Sequence, residues 1–130
     1  MVFECELCKK EPTSHSFFKY EESDDRIIYY GCPVKGLNKE ITGIITHIKG
    51  MLDENNGKKM IIILDFKDYK ITNYLEITNS IEIVKLIFNE RYYSLLENII
   101  VINNNSYVTI LINAVKKCIN TNILDKVIFS

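Results

Sequence analysis

The residues best equipped for chemistry lie near the N-terminus, where Cys5-Glu6-Leu7-Cys8 forms a C-x-x-C with His15 and Cys32 downstream. Thiolates and imidazole suit tetrahedral zinc, so Cys5, Cys8, His15 and Cys32 are a candidate metal set. A single C-x-x-C with no second copy reads more simply as a pair of reduced thiols in an irregular segment. A thioredoxin-type redox role would need the motif after a strand and at the start of a helix. His47 falls between the apolar positions of a helical stretch, which places it at the surface or boundary, with no nucleophile beside it. Asp65 and Asp68 follow an apolar run without an acid or base partner; Asp65 is expected to hold the next turn by accepting backbone N–H groups. Lys116 and Lys117 end another helical stretch, where cations complement the helix dipole. There is no G-x-S-x-G, no phosphate-cradling glycine loop and no H-E-x-x-H. These residues predict a protein that is not an enzyme and has no cofactor.

The elements that position these residues must fit into 130 residues and 15.2 kDa, enough for one core and too few for two. With 47% hydrophobic and 25% charged residues and a net charge of -1, the composition is that of a globular domain and does not suggest nucleic acid as a partner. No apolar run approaches the roughly twenty residues of a membrane span, and Met1 to Glu6 lack the order of a signal peptide, so a cytoplasmic location is expected. Ile, Asn and Lys are used heavily throughout, which lowers the weight given to Asn55-Asn56 and Asn103-Asn104-Asn105.

Residues 1–25 show no sustained period and read as an irregular lead-in, with one short strand near Ser16-Phe17-Phe18. The domain itself is placed at 26–130. Arg26-Ile27-Ile28-Tyr29-Tyr30 is a β-branched and aromatic run stopped by Gly31-Cys32-Pro33, the first clear strand. Leu37, Ile41, Ile44, Ile45, Ile48 and Leu52 recur three and four apart, the stripe of an amphipathic helix with Asn38 as its N-cap. Met60 to Leu64 is continuously apolar, the pattern of a central parallel strand covered on both faces. Ile77, Ile81, Val84 and Phe88 mark a second helix, Asn98 to Asn103 a further strand, Tyr107 to Cys118 a third helix, and Val127-Ile128-Phe129 the last strand. Single helices between strands imply right-handed parallel crossovers. The fold class is therefore α/β: a layered βαβαβαβ domain with a mostly parallel sheet.

From Asp65 to Phe129 this order and spacing resemble, without a gap, the CRAL-TRIO lipid-binding domain family of phosphatidylinositol/phosphatidylcholine transfer proteins. Asp65-Phe66-Lys67 sits where the family has a strand-ending Asp-Leu-Lys-Gly, with Asp68 in place of the glycine. Tyr92-Tyr93-Ser94 sits where it has Tyr-Pro-Glu. Ile100-Val101-Ile102-Asn103 matches its apolar strand ending in Asn, with Asn104-Asn105 for the usual Ala-Pro, and Asp125-Lys126-Val127-Ile128 matches its terminal Lys-Ile strand. Upstream, residues 26–30 fall at the family's first strand. In extent, without an N-terminal helical bundle or further helices after the last strand, the chain resembles a minimal member, near the BCH branch that also binds small GTPases.

The resemblance implies a non-enzymatic site for a lipid or other small hydrophobic molecule, between the sheet and a gate helix at 107–118. The floor would come from Ile28, Tyr30, Ile62, Leu64, Ile100 and Ile102, and the gate from Tyr107, Ile110, Leu111, Ala114 and Val115. Lys126 stands at the family's head-group lysine, while Ser94 replaces the head-group Glu, which argues against phosphatidylinositol. The implied partners are the ligand, a membrane surface met transiently and, as the alternative function, a small GTPase bound by a BCH-type scaffold whose pocket is filled by side chains. The STAS architecture shares the βαβαβ order, but its Asp-Ser-Ser-Gly-type loop is replaced here by Tyr69-Lys70-Ile71-Thr72-Asn73-Tyr74. Unpaired backbone on 126–130 or on the N-terminal segment would favour a homodimer.

Overall fold

A computed structural model describes residues 17–31, 41–67, 69–71, 74–87, 90–118 and 125–130. Cys5, Cys8, His15, Cys32 and Asn38 lie outside the described residues, as does Asp68. The described chain runs β1 (Phe17–Glu22), β2 (Arg26–Gly31), α1 (Ile41–Asp53), β3 (Lys59–Asp65), α2 (Tyr74–Ile87), the single turn α3 (Glu90–Tyr93), β4 (Leu96–Ile102), α4 (Ser106–Cys118) and β5 (Val127–Phe129). The strands form one sheet in the order β1-β2-β3-β4-β5, with β1 antiparallel to β2 and every later pair parallel. The expected α/β class is the observed one. Its sheet gains an antiparallel strand, β1, from the segment read as a lead-in.

The register explains which side chains form the core. Tyr29 lies beside Ile62, Ile62 beside Ile99 and Ile99 beside Val127, so these four share one face of the sheet. Among the described residues, the three long helices sit on that face. The α1 backbone takes a hydrogen bond from the Tyr29 hydroxyl at the Met51 carbonyl, 3.1 Å away, and Val84 of α2 joins Val108, Leu111 and Val115 of α4 against Ile99 and Val101. This follows from strands laid down in chain order: each right-handed crossover then places its helix on the same side. Ile27, Tyr29, Met60, Ile62, Leu96, Ile99 and Val101 are accordingly buried.

The opposite face carries Ile28, Tyr30, Ile61, Ile63, Ile100 and Ile102, all only half-buried. The expectation that Met60 to Leu64 would be covered on both faces is thus corrected: among the described residues, helices cover one face. A second correction concerns His47, which is 3% exposed rather than at the surface. It lies one turn before Met51 and next to Ile48, so the apolar stripe of α1 is broad enough to include it.

Local chemistry ends the elements where the topology requires. After α1 the chain turns through Asn55-Asn56-Gly57, where the Asn55 side chain accepts the Gly57 N–H at 2.8 Å. Asn56 and Gly57 both take left-handed φ, 57° and 77°, a conformation that Asn and Gly tolerate best. The Tyr92 hydroxyl donates to Asp53 and so ties α3 to the end of α1.

The two faces of β3 should differ in mutational cost. Ile62→Ala should cost about 2–5 kcal/mol, the range for a buried isoleucine, and Ile63→Ala less than half as much, as read from urea unfolding. Equal losses would show that the second face is packed as tightly as the first.

Candidate functional site

Beneath α4 lies a cleft of about 60 Å³ lined only by apolar side chains. Leu64 and Phe66 contribute from β3 and its exit, Ile99 and Val101 from β4, Val127 from β5, Val84 from α2, and Val108, Leu111, Ile112 and Val115 from α4. Phe66 is braced from behind by Tyr69, edge-to-face at 5.0 Å and 79°. Water gains nothing from such walls, so the cleft suits hydrocarbon.

Asparagine sets the position of α4. Asn105 precedes the helix and its side-chain oxygen accepts the N–H groups of Tyr107 (2.9 Å) and Val108 (3.3 Å), satisfying two donors that the first turn leaves open. The Asn105 amide also donates to the Tyr69 carbonyl at 3.2 Å, which fixes the helix start against the chain leaving β3.

At the C-terminal end of the strands Asp65 joins three of them. It accepts a short bond from the Tyr30 hydroxyl of β2, a 2.7 Å bond from the Asn103 amide beyond β4, and a 3.0 Å bond from the Lys67 N–H in its own turn. The last contact is the turn-holding role expected of Asp65. Asn103 reaches it from a left-handed φ of 57°. Burial pushes the Asp65 carboxyl up, but hydrogen bonds from Tyr30, Asn103 and Lys67 outweigh it, and the net shift is below the usual value.

Lys126 lies at the other end of the sheet, just before β5. Its ammonium donates to the carbonyls of Tyr93 (2.6 Å) and Leu96 (2.7 Å) and sits 3.9 Å above the Tyr93 ring. Burial, then the charge of Lys59, lowers its pKa. Its donors are directed into the turn between α3 and β4, where the last carbonyls of a helix favour a cation.

The residues expected from sequence are therefore divided. Leu64, Leu111 and Val115 meet in the cleft, with Ile62 buried on the same sheet face. Tyr30, Ile100 and Ile102, like Ile28, belong to the opposite face and cannot share a pocket with them. Ala114 is half-buried, whereas Tyr107 and Ile110 point outward, 36% and 50% exposed. The lining also includes Ile99 and Val101, not their neighbours Ile100 and Ile102. In an unbroken apolar run no alternation marks the inward set. A register shift between Met60 and Ile61 further changes the pairing of β3 with β4.

Among the described residues, an α/β sheet with its long helices on one face and an apolar cleft under the last of them defines a layered domain. The chain belongs to the CRAL/TRIO domain family, whose sequence model matches residues 34–130. No curated protein matches it. The family is non-catalytic, in agreement with the reading of the motifs, and membership supports a general role in binding a lipid or other small molecule. Among the described residues, no three His, Cys, Asp or Glu side chains are grouped to hold a metal, and no helix is long and apolar enough to cross a membrane.

Two substitutions separate structural from ligand roles. Asp65→Asn should lower stability by about 1–2 kcal/mol at pH 7, allowing for partial exposure. Because the folded carboxyl lies below its unfolded value, this contribution is present above the unfolded pKa and is lost as pH falls through the folded pKa. The wild-type and variant urea midpoints should therefore converge as the carboxyl is titrated in acid. Lys126→Met should cost about 1–3 kcal/mol of stability without any ligand present; unchanged unfolding would mean that its two carbonyl contacts contribute nothing.

Proposed function

We propose that this domain binds the hydrocarbon part of a lipid or other small hydrophobic molecule in the cleft beneath α4, with α4 as its gate. The observation that carries this reading is the wholly apolar lining. Ligand sites commonly occupy roughly 300 Å³ or more, so a cleft of about 60 Å³ must widen by an outward movement of α4 to admit an acyl chain. Burial then returns about 0.8 kcal/mol per CH₂ before ordering costs. The outer side of α4 suits the exchange step, because exposed Tyr107 and Ile110 share the helix with exposed Lys116 and Lys117. This combination favours transient contact with an anionic membrane surface. Lys126 has two of its three donors committed to carbonyls, so the lipid's head group is better placed outside the cleft.

The small volume also favours a second reading, a BCH-type scaffold that binds a small GTPase with the cleft filled by its own side chains. The two readings separate experimentally. The chain contains no tryptophan, so Ile112→Trp, at a half-buried cleft position, is a clean reporter. A spin-labelled fatty acid should quench it, and native mass spectrometry of the wild type from cell extract should show a bound lipid mass. Apo mass alone, an unquenched reporter and no lipid transfer between vesicles would remove the lipid reading. Retention of a small GTPase in a pull-down would then support the scaffold.

A further inference from the structure

Polar residues are buried where α2 begins: Glu76, Asn79 and Ser80 all lie inside the domain. Glu76, Ser80 and Val84 are four apart and so share one side of the helix, and Val84 lines the cleft. One helical turn therefore separates the hydrocarbon walls from a polar patch. At the exit of β3 the same boundary falls between Phe66, which lines the cleft, and Tyr69, whose ring meets Phe66 edge-to-face at 5.0 Å.

The Tyr69 hydroxyl sits where these two boundaries meet. Tyr69 is 2% exposed, and among the described residues its oxygen is the buried side-chain atom left without a hydrogen-bond partner. Ser80 is its polar neighbour, but the Ser80 hydroxyl donates to the Glu76 carbonyl at 2.8 Å. The backbone of Tyr69 is held on both sides. Its N–H donates to the Phe66 carbonyl at 2.9 Å, and its carbonyl accepts the Asn105 amide at 3.2 Å. Burial raises the pKa of the phenol, the Ser80 hydroxyl opposes that shift and the Glu76 charge adds to it, so near neutral pH the group is a proton donor. A buried hydroxyl without a partner lowers stability, and an oxygen supplied by a ligand removes that cost.

We propose that the Tyr69 hydroxyl is the polar end of the ligand site, and that the ligand carries one uncharged oxygen acceptor, a carbonyl or a hydroxyl, at the buried end of its hydrocarbon chain. The assignment rests on the reading of the cleft as a ligand site and names the chemical class that enters it. Outward movement of α4 leaves the Phe66 ring room to turn aside, and the widened cleft then reaches Tyr69, whose O–H donates to the ligand oxygen. A carboxylate or phosphate is disfavoured at this end, because the Glu76 charge acts on the same spot and like charges brought together under burial are costly. Any charged head group belongs at the other end of the molecule, outside the cleft.

Tyr69→Phe removes the hydroxyl and little else, so the urea midpoint of the ligand-free protein should hold or rise. With the Ile112→Trp reporter in both backgrounds, tridecan-2-one and its isosteric alkene 2-methyltridec-1-ene, each supplied in cyclodextrin, compete with the spin-labelled fatty acid. Tyr69→Phe should weaken the ketone by about fivefold or more and leave the alkene within about twofold. The infrared carbonyl stretch of the bound ketone should lie at lower wavenumber in the wild type than in the Tyr69→Phe protein, a difference that a purely structural role does not produce. A lowered midpoint shows a hydroxyl already paired in the free protein. That result, a ketone affinity that changes no more than the alkene's, or a carbonyl band at the same position in both proteins would each overturn the assignment and leave the reading of the cleft standing. Binding of neither probe removes that reading, and the assignment with it.

Discussion

Strands added in chain order by right-handed crossovers impose the main constraint on this molecule. Three parallel steps in the same direction place α1, α2 and α4 on one side of the sheet. That side then receives the large buried side chains and the cleft. The other keeps a row of half-buried isoleucines. Among the described residues, the apolar cleft lies on the helix side, beneath α4.

Such a sheet has polar requirements at both ends, and single side chains meet them. At the C-terminal end Asp65 links the exits of three strands. At the opposite end Lys126 answers carbonyls left by the short α3 and the turn after it. Both positions match motif positions of the CRAL/TRIO resemblance. Lys126 is engaged with backbone carbonyls and so serves the fold, and the lining of the cleft is wholly apolar. Buried or half-buried charges held in this way are costly to leave unpaired, which explains why their partners come from distant parts of the chain.

Much of the architecture was legible. The apolar runs at 26–30, 60–64, 98–103 and 127–129 and the helical stripes between them give the order of β2 to β5, because period and apolar content report local burial directly. The asparagines were undervalued. Composition suggested discounting Asn55, Asn103 and Asn105, yet they make the turn after α1, the left-handed exit of β4 and the N-cap of α4. Their local context carried that signal: Asn-Asn-Gly after a helix, and Asn just ahead of one. His47 was misplaced because five or six apolar positions outline a stripe without giving its width.

The α/β class was legible in the chain itself, because strand runs and helix stripes are short-range periods, whereas the family was carried by the motif positions between Asp65 and Phe129. Which isoleucines face the site was decided only by tertiary structure. Ile99 and Ile100 are chemically alike and adjacent, and they lie on opposite faces because a strand alternates with a period of two. Only pairing with β3, shifted at Met60, selects the inward one. In the same way Lys126 looks like any exposed cation until the fold brings the carbonyls of Tyr93 and Leu96 within reach of its ammonium.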